Sequence, residues 1–586
     1  MIRPANIASC LLLGLTFSCG SASNDSGGAP RDGAGAGGGS GGEVAEASGG
    51  TSANSGTSGG GSSAGTGGTK GGVGGSSGSS PGGASGSSAG ISSGGTSGTS
   101  TGGDSGTSTG GSTTGGSAGA SSCAQWNTDS WRPLPSTNAP SAREEPWVIA
   151  TDDGMLVFGG YNHEKSNADP FLDDGAIYNV CDDTWTPMST TGVPHAITDT
   201  VAERPVGLWT GNELLVWGGF QSASAGYDEG APVSFATRYN AASDAWTEME
   251  RDGEPTARNY LAQLWTGKQL LVWGGIGQSG DKSWVNHDDG ALYDPNTDSW
   301  TAMSTAGAPA GRYATDRVVW TGTQLIVWGG LSYGTGMSFD PVVTTLDNGG
   351  VYDAASDSWT PIPSTGAPHD GFAPLAWTGK ELVVISNLDG YSTPGQILFE
   401  GARFDPKANA WSKMSPPGLE LADTLEFANL KIYWVGSVLA VLGEKVSQGT
   451  GEPALLLYDP ETDTWSSGTV PSIPSYFRWQ SATVVGDTLV VAGPGDGSSD
   501  ARGAHHESTA IAVFDGKSRQ WRLVPDTLNR SSPSLAVLSD RLLVWGGLDI
   551  YTDLDAPNPC QGSTGPCDPV TPTIQTLLAD GVGISY

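Results

Sequence analysis

Residues 265–275 read WTGKQLLVWGG, from Trp265 to Gly275, and the string returns along the chain. It is WTGNELLVWGG from Trp209 to Gly219 and WTGTQLIVWGG from Trp320 to Gly330. It loosens to WTGKELVVISN (Trp377 to Asn387), WVGSVLAVLGE (Trp434 to Glu444) and VVGDTLVVAGP (Val484 to Pro494). DDGMLVFGG (Asp152 to Gly160) precedes these copies and SDRLLVWGG (Ser539 to Gly547) follows them, which makes eight. Repetition at such an interval means that one small unit is reused, each copy burying its apolar side against the next. The run LLVW has the composition of a buried strand. The Gly pair marks a backbone turn that residues with a side chain adopt only at a cost.

A second signature follows each copy but the last: YNVCDDTW (Tyr178 to Trp185), YNAASDAW (Tyr239 to Trp246), YDPNTDSW (Tyr293 to Trp300), YDAASDSW (Tyr352 to Trp359), FDPKANAW (Phe404 to Trp411), YDPETDTW (Tyr458 to Trp465) and FDGKSRQW (Phe514 to Trp521). Its middle is turn chemistry, because Asp and Asn bond their own backbone and Pro fixes φ. It therefore joins a strand ending in Tyr to one beginning at Trp. Another short strand precedes each copy of the opening string, often entered through Arg (Arg143, Arg258, Arg312, Arg478). Four strands per unit of just over fifty residues, with no helical periodicity, predict an all-β propeller.

The Gly pair followed some 25 to 29 residues later by Tyr-Asp-Pro-x-Thr-Asp-x-Trp, as from Gly160 to Trp185 and from Gly330 to Trp359, resembles the kelch repeat. The resemblance covers residues 123–586 and implies a kelch-type β-propeller of four-stranded blades. CAQWNTDSWRPLP (Cys123 to Pro135) supplies only the last turn and strand of a blade, while LLVWGG (Leu542 to Gly547) and ADGVGISY (Ala579 to Tyr586) end without a following Trp. The two fragments complement one another. The expectation is eight blades, with seven as the alternative, and a ring closed by an N-terminal strand joining the C-terminal blade. Such closure removes the exposed edge of an open array. The repeated Trp is expected in the cores between blades.

The chain has 586 residues, 91 of them Gly, and a net charge of −34. Residues 1–18, MIRPANIASCLLLGLTFS, fit an export signal too short to span a bilayer. They resemble a bacterial lipoprotein signal with Cys19 as the lipidated residue. Residues 19–122 are Gly, Ser, Thr and Ala with few charges, a disordered tether with a reach of roughly 50–60 Å. Nearly all of the negative charge falls on 123–586, which excludes nucleic acid as a ready partner. Four further cysteines in an exported chain suggest two disulfides, Cys560 with Cys567 and Cys123 with Cys181 being the favoured pairing of the three possible.

The stretches joining second and third strands differ from blade to blade: 161–172, 220–234, 276–287, 331–346, 388–396, 445–453, 495–506 and 548–578. Regular strands carrying variable loops on one face place binding there. The candidate ligand-binding residues are Tyr161, His163, Tyr227, Asp228, Trp284, His287, Tyr333, Tyr391 and Tyr551. His505-His506 is read as structural, since neighbours on an extended chain point opposite ways. Asp173-Asp174-Gly175-Ala176 and Asp288-Asp289-Gly290-Ala291 recur at one place, which argues for a turn duty, with Ca²⁺ binding as the competing reading. No Ser/His/Asp, zinc or phosphate-loop motif is present, so neither catalytic residues nor a metal or cofactor are assigned.

The sequence thus predicts a non-enzymatic scaffold anchored at an outer membrane or cell surface, or else secreted or periplasmic. It is expected to be a monomer that takes a protein or glycan ligand on its loop-rich face and meets membrane only through the lipid. The alternative is a carbohydrate-active enzyme, because kelch-like propellers include galactose oxidase and a sialic acid mutarotase. The oxidase's copper ligand set is not assignable here.

Overall fold

The structure is a computed structural model. It describes residues 126–585 apart from 127, 129, 163–171, 194–205, 222–230, 280–282, 335–342, 370, 372, 390–397, 419–429, 448–449, 471–480, 496–497, 500–504, 525–527, 532 and 553–572. Two units divide the chain, Met1–Ser105 and Gly106–Tyr586, and the described residues all fall in the second.

Every regular element among the described residues is a strand. The repeat appears as a four-stranded antiparallel meander, seen most simply in sheet three: Ala262–Trp265, Leu270–Trp273, Gly290–Asp294 and Ser299–Ala302, each paired with the next. Six more sheets of this order start at Trp147–Thr151 (sheet one), Val206–Trp209 (two), Val318–Trp320 (four), Leu375–Trp377 (five), Lys431–Val435 (six) and Ser481–Val485 (seven). An eighth has Ser534–Val537, Arg541–Trp545 and Gly581–Ser585, and its fourth strand is Arg132–Pro133 from the other end of the domain. Arg132 pairs with Gly583 and Pro133 with Val582. The two terminal segments thus share one hydrogen-bonded sheet.

The apolar run of the opening string forms the second strand, the most buried of the four. Leu270, Leu271, Val272 and Trp273 are all fully buried, and each side chain so buried contributes about 1.5–3 kcal/mol. Successive side chains on a strand point to opposite faces, so one run serves two cores. Leu270 and Val272 pack with sheet two, Leu271 and Trp273 with sheet four. The same arrangement recurs: eight clusters each join two successive sheets, and one of them brings Leu543 and Trp545 of sheet eight against Met155 and Val157 of sheet one.

The second signature staples neighbouring sheets. In sheet three Tyr293 lies opposite Trp300, their rings 5.1 Å apart. Trp300 also meets Trp217 of sheet two at 6.0 Å, and its indole N–H donates to the Glu250 carbonyl at 2.9 Å. Asp298, in the left-handed region at φ 48°, accepts the Tyr293 hydroxyl at 2.6 Å and the N–H of that same Glu250 at 3.0 Å. Asp244 with Trp246 grips Ser189 in this way, Asp357 with Trp359 grips Ser304, and Asp463 with Trp465 grips Ser415. Trp185 of sheet one meets Trp545 of sheet eight at 4.8 Å, and Asp183 takes an ion pair from Arg132.

Departures from the signature fall in matched sets. Where the third strand carries Phe404 or Phe514, no hydroxyl needs an acceptor, and the left-handed position holds Asn409 or Arg519 instead of Asp. The residue gripped by Trp411 is Pro363, which has no N–H to give, and Asn409 donates to the Pro361 carbonyl. The tryptophans therefore belong to the cores between sheets, as the repetition implied.

Candidate functional site

The edge on which second strands hand over to third strands begins at the Gly pair. Gly274 and Gly275 have φ of 71° and 94°, and a Cβ on Gly275 would sit 2.6 Å from the Asn259 carbonyl oxygen. Beneath this turn lies a fully buried guanidinium. Arg258 donates to the Gly274 carbonyl, to the carbonyl and carboxylate of Asp289, and to the carbonyl and hydroxyl of Thr256. Arg143 does the same with Gly159, Asp174 and Ser141. Arg312 clamps Gly329 and Asn348, and Arg530 reaches the Gly546 and Asp580 carbonyls. The second Asp of the recurring Asp-Asp-Gly-Ala has a structural duty: Asp174 and Asp289 are the carboxylates of these clamps. His287 lies 3.4 Å from Asp289, and its hydrogen bond, with Arg258 adding to it against the effect of burial, holds the Asp289 carboxyl well below the usual range.

Above the clamps the variable stretches fold further. Arg258–Asn259, Ile276–Gln278 and Trp284–Asn286 make a three-stranded sheet, and Leu331–Tyr333 pairs with Val343–Thr345. Asn286 joins the two, donating to the Tyr333 carbonyl at 2.7 Å and accepting the Tyr333 N–H at 3.0 Å. Ser498–Ser499, His505–His506, Leu548–Thr552 and Thr573–Leu577 form a four-stranded sheet contributed by both sheets seven and eight. His505-His506 is thus a strand, and His506 Nδ1 lies 2.8 Å from the Asp549 carboxylate. The stretch 445–453 corrects the loop expected there. Strands Val438–Ser447 and Thr450–Asp459 run straight through it, because Gly443-Glu444 lacks the Gly pair that would break the register.

Of the candidate residues, Tyr161 is partly buried with its hydroxyl on Glu144 at 2.9 Å. Trp284 and Tyr333 lie in the linked hairpins, and His287 belongs to the Arg258 clamp. Tyr551 is in the strand Leu548–Thr552. His163, Tyr227, Asp228 and Tyr391 lie outside the described residues, as do Cys19, Cys123, Cys560 and Cys567. Cys181 is disulfide-bonded.

A further group, not legible from the repeat pattern, lies where first strands begin on this edge. The rings of Tyr260 and Tyr313 stack at 4.7 Å. Tyr260 holds φ 56° and Asp316 holds φ 58°, and a bulky residue in that region is strained. Asp316 is exposed and acts on Lys431 and Tyr433 of sheet six. Burial pulls the Lys431 ammonium down, and Asp316 opposes it. Burial pushes Tyr433 and Tyr313 up to about 12, with Asp316 adding to both. Aromatic faces beside a carboxylate and an ammonium suit recognition of a polar chain. Among the described residues no group of three or more His, Cys, Asp or Glu could hold a metal, and no helix is long and apolar enough to cross a membrane.

Residues 266–495 match the model described as the KLHDC2/KLHL20/DRC7 Kelch-repeats domain. The chain is 23% identical over 289 residues to the Kelch-like protein terF of Aspergillus terreus, covering 49% of this chain and 59% of that protein. It is 29% identical over 148 residues to the putative F-box/kelch-repeat protein At1g27420 of Arabidopsis thaliana, 25% of this chain and 37% of that one. The chain therefore spans little more than half the length of the first relative and about a third of the second. The relatives are fungal and plant proteins, so the likeness lies in the repeats and does not extend to a bacterial lipoprotein. With Gly pairs and Tyr-Trp staples in register with that match, residues 266–495 are similar to kelch repeats.

Proposed function

We propose that this chain is a protein-binding scaffold whose ligand sits on the edge bearing the second-to-third hairpins. The observation that carries the reading is the Asn286–Tyr333 link. It holds two hairpins of unlike sequence in a fixed relation, above turns that the buried arginines make rigid. Pre-ordered groups lose less entropy when a partner arrives. A glycan would meet the same edge through Trp284 and the Tyr260–Tyr313 stack.

The eight sheets are read as eight blades of one closed ring. Support comes from the Arg132–Gly583 pairing, from the Trp185–Trp545 contact, and from the first strands, where Trp147–Thr151 touches both Val206–Trp209 and Ser534–Val537. Cys123 is the proposed partner of Cys181, with Cys560 closing on Cys567. Export, lipidation at Cys19 and a 19–122 tether complete the proposal, and they would carry the hairpin edge away from an envelope surface.

The test uses the full chain on peptide and glycan arrays, with Trp284→Ala and Asp316→Ala against Lys517→Ala on the opposite turn edge. Binding lost with the first two and kept with the third is expected. Equal binding by all three variants removes the hairpin edge as the site. Incorporation of a fatty-acid label that survives Cys19→Ser would remove the anchor.

A further inference from the structure

Four buried arginines occupy equivalent places; Arg530 faces the Asp580 carboxylate at 3.2 Å, and of the three that are fully buried one lacks such a partner. Arg143 and Arg258 each place all five N–H groups and each faces a carboxylate, Asp174 at 3.0 Å and Asp289 at 2.7 Å. Arg312 donates through Nε to the Ala310 carbonyl, through Nη1 to the Gly329 and Asn348 carbonyls, and through Nη2 to Asn348 Oδ1. That uses four of its five N–H groups. The fifth is the one that Ser141 and Thr256 hydroxyls accept in the sister clamps, and here the corresponding residue is Ala310. The carboxylate is missing as well, since Asn348 stands where Asp174 and Asp289 stand.

Arg312 is 0% exposed and makes no ion pair among the described residues. The neighbouring Asp347 is exposed and does not supply one. A buried charge without a counterion is costly. Burial pulls the Arg312 guanidinium down to about 10, with no opposing charge to hold it up. Ala310 and Asn348, which replace the two polar partners, are both exposed, so the clamp lies directly beneath the protein surface.

We propose that the clamp of sheet four is a binding site for a small monovalent anion, a carboxylate of formate size or a halide, which supplies the negative charge that Asn348 lacks and the acceptor that Ala310 lacks. The anion accepts the fifth N–H of Arg312 and neutralises the guanidinium. Its affinity is modest, because the domain's net negative charge opposes every anion in solution. The site does not depend on the scaffold reading, and it gives the fold an anion-dependent stability at one of its clamps only.

The experiment titrates formate, and separately chloride, into the full chain at constant ionic strength, with a bulky organic sulfonate as the balancing anion. The melting temperature is the readout. Wild type should show a saturable rise, about 1–2 °C at ten times the dissociation constant. Asn348→Asp, which restores the sister clamp, should melt higher without anion and lose the response, its apparent affinity falling roughly tenfold or more as like charges meet. Ala310→Ser, which returns only the hydroxyl, should weaken the response without abolishing it. No response in wild type, or an equal response in Asn348→Asp, would show that water alone fills the gap and would overturn the proposal.

Discussion

Asp298→Ala perturbs the staple at its most connected atom. The substitution removes the acceptor of the Tyr293 hydroxyl at 2.6 Å and of the Glu250 N–H at 3.0 Å. Tyr293 is fully buried, so its hydroxyl loses a partner at a cost of about 1–3 kcal/mol. The Glu250 N–H lies at an exposed residue and turns to water, which leaves about 0.5 kcal/mol. Alanine at φ 48° adds about 1 kcal/mol, a strain that Asp partly relieves through local bonds. The total is roughly 3 kcal/mol. With about 2.1 cal/mol/K of unfolding entropy per residue over roughly 460 residues, one kcal/mol corresponds to about 1 °C, so the melting temperature should fall by ~3 °C.

Tyr293 and Asp298 should also be energetically coupled. Tyr293→Phe alone should cost about 1 kcal/mol. Combined with Asp298→Ala it should add almost nothing, because the buried hydroxyl that Asp298 serves has gone. Calorimetry of the two single variants and the double variant measures the interaction, expected at about 1–2 kcal/mol. The protein already contains the double change in Phe404 with Asn409 and in Phe514 with Arg519. Additive losses would refute the claim that Tyr and Asp form one unit and would leave those matched departures to chance.

Other perturbations probe the same construction. Gly275→Ala should cost about 2–4 kcal/mol, since the Cβ meets backbone at 2.6 Å as well as an unfavourable φ, whereas Gly322→Ala, at φ 100° with open space, should cost only about 1; urea midpoints distinguish them. Tyr178, Tyr239, Tyr293, Tyr352 and Tyr458 are pushed above the usual range by burial and by their aspartates. Their folded pKa exceeds the unfolded value of ~10, so the stability they lend is intact below pH 10 and is lost as pH rises beyond it. Absorbance of tyrosinate should rise in step with unfolding for these five, and their free titration in the native state near pH 10 would contradict the hydrogen-bond assignment. Asp289 has the opposite sign: its contribution is present above pH ~4 and is lost as pH falls toward its depressed folded value. Asp289→Asn should therefore be less stable than wild type at pH 7, with the gap closing in acid.

Legibility followed repetition. The Gly pair and the pairing of Tyr or Phe with Trp were readable because they recur in most of the copies, and recurring letters at a fixed spacing report a shared backbone. The arginines were visible only as strand entrances. Their duty was hidden because Arg143 and Asp174 are 31 residues apart, and no local period links a clamp to its carboxylate. The stretch 445–453 was misread for a related reason. Variable sequence between two strands looks the same whether it forms a loop or a longer hairpin, and only the absent Gly pair at Gly443-Glu444 separated the cases. The group of Tyr260, Tyr313, Asp316, Lys431 and Tyr433 could not be read at all, since it draws one or two residues each from the starts of sheets three, four and six.

This division has a physical origin that also bears on function. A sheet of the repeat must satisfy two neighbours, and the residues that do so are fixed in type: small at the Gly pair, apolar in the second strand, Asp and Trp at the turn beyond the third. Those demands are spread over both faces of each sheet and over the turn edge, where Asp298 and Trp300 grip Glu250. The hairpin edge carries no such demand past the Gly pair, because the arginine clamps already close the backbone there. Sequence can vary on that edge without disturbing a core. It has varied into accessory sheets, a strained tyrosine stack and one clamp without its carboxylate. Differences between related proteins of this architecture should then concentrate beyond Gly160, Gly219, Gly275, Gly330 and Gly547. An exchange of the Ile276–Asn286 hairpin should change what is bound while leaving the melting temperature within a degree or two.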